Sequence, residues 1–181
     1  MPGTGRSDLD RIVRLSTWLH RAATALLIVL PVVFVVFLLR WALNPDDLIG
    51  YFPGVTTQVS SMTAVIVTLL GALSLPPLLV ALAQMRRLFG RYRRAEILSA
   101  ACASHVQVIG HMLVALAVLA IVGPTLQVLA LSWQNPPGQR ILQIGLSDQT
   151  LGFLLAGAFL SVVGWVMREA ARIKAENEGF V

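Results

Sequence analysis

Charge and cysteine are both scarce in this sequence. Only 13% of the 181 residues are charged, whereas about a quarter are charged in an ordinary soluble domain, and 56% are hydrophobic. The single cysteine excludes an internal disulfide. The net charge of +5 would suit a nucleic-acid-binding protein, but its meaning depends on where the charges lie. The composition by itself excludes a typical soluble globular domain.

Four long apolar stretches dominate the chain instead. The expected spans cover about 22–42, 59–85, 105–131 and 149–167. A helix needs about 20 mainly apolar residues to cross about 30 Å of hydrocarbon. Buried helices of a soluble bundle keep a polar face, and these stretches are apolar all round. The sequence therefore predicts an all-α, polytopic membrane protein, with residues 1–181 forming a single bundle of four transmembrane helices.

The basic residues lie almost entirely on one side of these spans. Four arginines precede the first span, five lie in the central connection over residues 86–104, and three basic residues follow the last span. Only Arg40 and Arg140 lie on the other side. Lys and Arg concentrate in short cytoplasmic loops of membrane proteins. We therefore expect both termini and the central connection in the cytoplasm, and the protein in the inner membrane of a bacterium.

The central connection contains the densest basic run, "MRRLFGRYRRAE" over residues 85–96. Its simplest role is to fix the topology, with arginine side chains reaching the phosphates of anionic membrane lipids. A second role in binding a protein partner stays open. Direct binding of nucleic acid is not expected, because nothing resembles a recognition helix and only Phe89 and Tyr92 could stack on bases.

Several residues predict where helices bend, end and pack. Pro76 and Pro77 are expected to kink the second span. Gly90 is expected to end that helix, and Ser99 to begin the next one. In the fourth span, Gly157 and Ser161 form a small-residue face that allows a neighbouring helix to approach closely.

The spans contain little that could carry chemistry. No charged residue falls in the middle of any span, which argues against an ion-coupled transporter and against an enzyme acting inside the membrane. The remaining candidates are His20, His105 and His111. Facing imidazoles at the depth of His20 and His105 could ligate haem b, so an internal haem or quinone site is the alternative, and a small-molecule permease is a third. Cys102 with His105 is only half of a metal site, and no metal or resident cofactor is expected.

Three segments resemble a bacterial membrane family, the domain-of-unknown-function 2975 family. They are "MRRLFGRYRRAEILSA" (85–100), "VIGHML" (108–113) and "VMREAARIKAENEGFV" (166–181). The family is similar in layout over essentially the whole chain, with four spans and a basic central connection. Ala95 and Ala170 stand where its members usually have glycine.

The resemblance implies no catalytic residue. It implies a genomic context, because members are often encoded beside small helix-turn-helix regulators. We therefore expect a partner-binding, regulatory or accessory membrane subunit that contacts such a regulator or a larger membrane complex. The expected cytoplasmic face, for a partner or for lipid, consists of Arg86, Arg87, Arg91, Arg93, Arg94, Glu96, Arg168, Glu169 and Arg172.

Overall fold

The structure is a computed structural model that describes residues 4–52, 59–94, 99–133, 135, 140 and 142–178. These residues form helices and connecting turns, with no strand among them. The helices are α1 (Thr4–Leu43), a 3₁₀ helix (Pro45–Tyr51), α2 (Ser61–Gly71), a 3₁₀ turn (Ala72–Ser74), α3 (Leu75–Tyr92), α4 (Ala100–Ser132) and α5 (Asp148–Glu178). The all-α prediction is confirmed.

Four helical segments are long and apolar enough to cross a membrane. They cover Arg14–Leu43, Ser61–Tyr92, Ala100–Ser132 and Asp148–Asn177, and so include most of each expected span. Each exceeds the roughly 20 residues that the hydrocarbon requires, because the helices continue beyond the apolar stretches. The predicted bundle of four membrane-spanning helices is confirmed in number and order.

The second span is interrupted just before its two prolines. α2 ends at Gly71, the 3₁₀ turn follows, and α3 begins at Leu75 with Pro76 and Pro77 in its first turn. Proline is tolerated there because the first N–H groups of a helix have no partner within it. The expected disturbance therefore takes the form of a short break, and the Ser74 hydroxyl donates to the carbonyl of Gly71 across it (2.9 Å).

The helix boundaries follow hydroxyl caps more than glycines. Ser99 accepts a hydrogen bond from the amide of Cys102 (3.2 Å), as expected for the start of α4. Ser147 caps α5 in the same way through the amide of Thr150 (3.2 Å). Gly90 does not end α3: that expectation is wrong, since the helix continues to Tyr92. The arginines of the central connection consequently lie largely on a helix.

α4 and α5 cross at a very close distance through small residues. A Cβ added to Gly110 would lie 2.5 Å from the amide nitrogen of Ser161 and 2.7 Å from the carbonyl oxygen of Gly157. A Cβ on Gly164 would lie 2.6 Å from the amide nitrogen of Gln107. The small-residue face predicted at positions 157 and 161 is therefore used within the chain. α5 packs chiefly on α4, while α1 and α3 pack on each other and α3 packs on α4.

Two apolar clusters hold the ends of the bundle. One lies where α3 ends and α4 begins, and it contains Leu88, Cys102, Val106 and Ile109. We call this end the basic end, because the first part of α1, the end of α3 and the end of α5 place most basic residues there. The other cluster surrounds the fully buried Leu48 at the opposite end.

Candidate functional site

A cleft of about 820 Å³ opens at the basic end between α1, α3 and α4. We call it the basic cleft. Its lining consists of His20, Ala83, Arg86, Arg87, Gly90, Arg91, Arg94 and His105. No carboxylate lines it among the residues that the structure describes. The cleft is therefore a concave surface with concentrated positive charge.

Helical spacing explains why these residues of α3, with Arg94 in the turn that follows it, share one face. Positions 83, 86, 87, 90, 91 and 94 are separated by three or four residues along two adjacent rows of the helix. Residues at these separations lie above one another, since an α-helix has about 3.6 residues per turn. Arg93, three residues after Gly90, lies at the edge of this face, and its exposed side chain does not line the cleft.

His20 fixes α1 against α3 at the edge of the cleft. Its Nδ1 donates a hydrogen bond to the carbonyl oxygen of Arg86 at 2.9 Å. The hydroxyl of Thr24 donates to the carbonyl oxygen of His20 at 2.8 Å. Gly90 faces the same ring, and a Cβ added there would meet the imidazole at 3.8 Å, an ordinary contact. The histidine thus positions the α3 backbone that carries the arginines.

His105 joins α4 to α3 on the other side of the cleft. Its Nδ1 donates to the side-chain oxygen of Gln84 at 2.6 Å. Gln84 is a residue that sequence reasoning missed. It lies next to Met85 at the edge of an apolar stretch. The only signal in the sequence is its helical spacing, since it precedes Arg87 by three residues and Arg91 by seven. Together, His20 and His105 hold three helices around the cleft.

The arginines give the cleft a defined chemical preference. Arg86, Arg87 and Arg94 are exposed, so their guanidinium groups are accessible from solution. A guanidinium presents five N–H donors and no acceptor, in a planar arrangement that matches a carboxylate or a phosphate. Several converging arginines therefore favour ligands with more than one acidic group.

The structure separates the expected face into two groups. Arg86, Arg87, Arg91 and Arg94 come together in the cleft. Arg168, Glu169 and Arg172 lie on the end of α5, which packs chiefly on α4. Arg172 is held by Glu169 at 2.6 Å and by Glu176 at 3.6 Å. Glu96 lies outside the described residues, as does Ala95.

The three histidines do not converge. His20 and His105 line the cleft, each with Nδ1 engaged by a protein oxygen. His111 is exposed on α4 and does not line it. Across the described ranges, no group of three or more His, Cys, Asp and Glu side chains could hold a metal ion. The cleft thus combines four arginines with two neighbouring histidines.

Comparison with known proteins identifies a family for this chain but no individual relative. No curated protein and no solved structure matches the sequence. One family, described as "Protein of unknown function (DUF2975)", matches residues 53–180, which begins after α1 and includes the other three spans. Because this match covers well over half of the sequence, the chain belongs to the DUF2975 family of proteins of unknown function.

Proposed function

We propose that this protein is a multi-pass protein of the bacterial inner membrane that binds a cytoplasmic partner protein through its basic cleft. In this arrangement the basic end and both termini lie in the cytoplasm. The support for that orientation is the distribution of charge, since only Arg40 and Arg140 of the fourteen basic residues lie at the opposite end.

The observation that carries the proposal is the convergence of four arginines in one cleft built by three helices. Topology alone requires basic residues near the membrane surface, but it does not require them to share a concave site. A cleft lined by arginine favours an acidic segment of a protein, whose carboxylates can each take two guanidinium hydrogen bonds. Complementary charge would also speed association and select the partner.

The partner chemistry follows from the cleft. It would be a segment with several Asp or Glu side chains on a cytoplasmic protein or on a larger membrane complex. The genomic context that the family resemblance implies makes a small helix-turn-helix regulator the first candidate. Such a regulator would be held at the membrane by the cleft and released when that contact is lost, and the protein described here would not itself touch DNA.

Two double variants with equal loss of charge test this function. Arg87→Gln with Arg94→Gln removes charge from the cleft, and Arg93→Gln with Arg168→Gln removes the same charge outside it. Tagged protein is purified in mild detergent, and the amount of co-purified partner is measured by mass spectrometry. We expect the cleft pair to weaken partner binding about tenfold, because it removes two of the four guanidinium groups that would hold the partner's carboxylates. A tenfold loss of affinity corresponds to about 1.4 kcal/mol. The control pair should leave binding nearly unchanged.

Equal loss of partner in both double variants would contradict the proposal, because the cleft would then have no special role. Retention of a stoichiometric partner in the cleft pair would contradict it too. If anionic lipid were the only molecule lost from the cleft variant, the arginines would bind lipid and not a partner protein. An absorption spectrum of the same sample checks the alternative, since a Soret band lost on His105→Ala would indicate haem instead.

A further inference from the structure

A second cavity lies towards the end of the bundle opposite the basic cleft. It has a volume of about 690 Å³ and is bounded by the break between α2 and α3, by the second half of α4, and by the residues leading into α5. We call it the apolar pocket. Cavities that bind small molecules in proteins have volumes of about 300–1,000 Å³.

The walls of this pocket are mainly aliphatic. Leucines line it from α2, α3 and α4, and Tyr51, Phe52 and Phe153 add aromatic rings. None of the residues that line it is charged. An ion bound there would be desolvated without a counter-charge, which is costly in an apolar environment. The pocket therefore suits an uncharged molecule with a large apolar part.

One group of polar atoms lines the pocket at the helix break, and another, with Gln143, Ser147 and Gln149, lines the wall formed by the segment before α5 and its first turn. The Ser74 hydroxyl lies at the break, next to backbone that cannot be fully satisfied within the helix. Pro77 has no N–H, so the carbonyl oxygen of Leu73 lacks the donor that an α-helix would place four residues later. Broken helices inside membranes are tolerated where another group can satisfy the exposed backbone.

Gln127 adds an amide to the polar atoms at the break. Its Nε2 donates to the carbonyl oxygen of Val67 at 3.0 Å, which holds the side chain against α2. Gly71 permits this approach, since a Cβ there would lie 2.6 Å from the same nitrogen. A carboxamide both donates and accepts hydrogen bonds. The amide and the Ser74 hydroxyl together can accommodate a hydroxyl or a carbonyl group.

The segment before α5 completes the pocket. Gln143, Leu146 and Ser147 contribute to its lining. The hydroxyl of Thr125 lies 2.8 Å from the carbonyl oxygen of Ile121 in its own helix and 3.1 Å from that of Gln143, so this segment passes close to α4. The cavity is therefore built from several separate parts of the chain.

We propose that the apolar pocket binds a neutral amphiphilic molecule from the bilayer, with its apolar chain against the leucines and its hydroxyl or carbonyl head at Ser74 and Gln127. The lining favours a neutral head over the charged head of a phospholipid, because it offers no counter-charge. This site is separate from the basic cleft, and it does not depend on the identity of the cytoplasmic partner.

Glycine positions on α4 and α5 provide a direct test. A Cβ on Gly123, which lines the pocket, would meet no atom within 4 Å, so Gly123→Leu introduces a side chain at the pocket wall without a clash at its Cβ. Gly152 on α5 also has nothing within 4 Å and does not line the pocket, which makes Gly152→Leu the matched control. The protein is placed in nanodiscs containing a trace of photoreactive diacylglycerol, and the adducts are mapped by mass spectrometry.

We expect adducts on the segments around positions 116–128 and 143–153. Gly123→Leu should reduce them about tenfold, because its side chain would displace about two methylene groups of the bound molecule, and losing their burial weakens binding by about that factor. Gly152→Leu should label like the unmodified protein. Unlabelled diacylglycerol should compete if the site takes a hydroxyl head, and decylubiquinone should compete if it takes a carbonyl head. The proposal is overturned if neither competes, if Gly123→Leu labels normally, or if photoreactive phosphatidylglycerol labels these segments equally.

Discussion

Glycines in this protein have very different surroundings, and the difference decides what each can be replaced by. Gly110 lies against the backbone of α5, where there is no room for a Cβ, whereas Gly152 faces open space. The pair at 157 and 161 is recognisable in the sequence from its spacing. Gly110 is not, because its constraint comes from a helix whose position only the fold determines.

Gly110→Ala should therefore loosen the contact between α4 and α5. The added carbon would lie 2.5 Å from Ser161 and cannot be accommodated without a backbone shift. Forced overpacking typically costs about 1–3 kcal/mol. Thermal unfolding in detergent, followed by circular dichroism, should show this loss. Gly152→Ala serves as the control and should be neutral or slightly stabilising, because alanine favours a helix over glycine. Equal stability of the two variants would contradict the close crossing.

At the scale of helices, cap residues identify starts well. Ser99 is predicted from sequence and forms the expected cap, since this interaction is local. The end of α3 is less predictable. Gly90 has the properties of a helix end, but the helix continues through it to Tyr92. A glycine permits a helix end without requiring one, and here the continued helix places most of the arginines on one face.

The cap at Ser99 leads to a stability prediction for α4. Ser99→Ala removes the acceptor for the amide of Cys102 and should cost about 1 kcal/mol. Ser104→Ala is the control, because that hydroxyl only donates to the carbonyl oxygen of Ala101 inside the helix. It should change the free energy of unfolding by less than about 0.5 kcal/mol. Denaturant titration of both variants measures the difference, and a larger effect for the control would argue against the cap.

At the scale of the whole molecule, composition and charge predict the class of protein and the number of spans. They do not separate the arginines of the cleft from Arg93 and Arg168, which the expected face also included and which do not line the cleft. They do not predict the hydrogen bonds of His20 to Arg86 and of His105 to Gln84. Those contacts join residues far apart in the chain, and they depend on how helices cross. The apolar pocket is unpredictable for the same reason.

The side of the membrane on which the basic end lies is the claim on which the proposed function depends most. α5 allows it to be measured at both ends of one helix, since its 31 residues extend about 46 Å, more than the hydrocarbon thickness. Gly145 and Ala175 flank its apolar part and are both exposed. The native Cys102 is fully buried and should not react.

The most direct measurement is labelling of Gly145→Cys and Ala175→Cys with a membrane-impermeant maleimide. The unmodified chain, which carries only the buried Cys102, is the control for background reaction. We predict that Gly145→Cys reacts in intact spheroplasts, and that Ala175→Cys reacts only in inverted membrane vesicles. The reverse pattern would place the basic cleft outside the cytoplasm and contradict the proposed binding of a cytoplasmic partner.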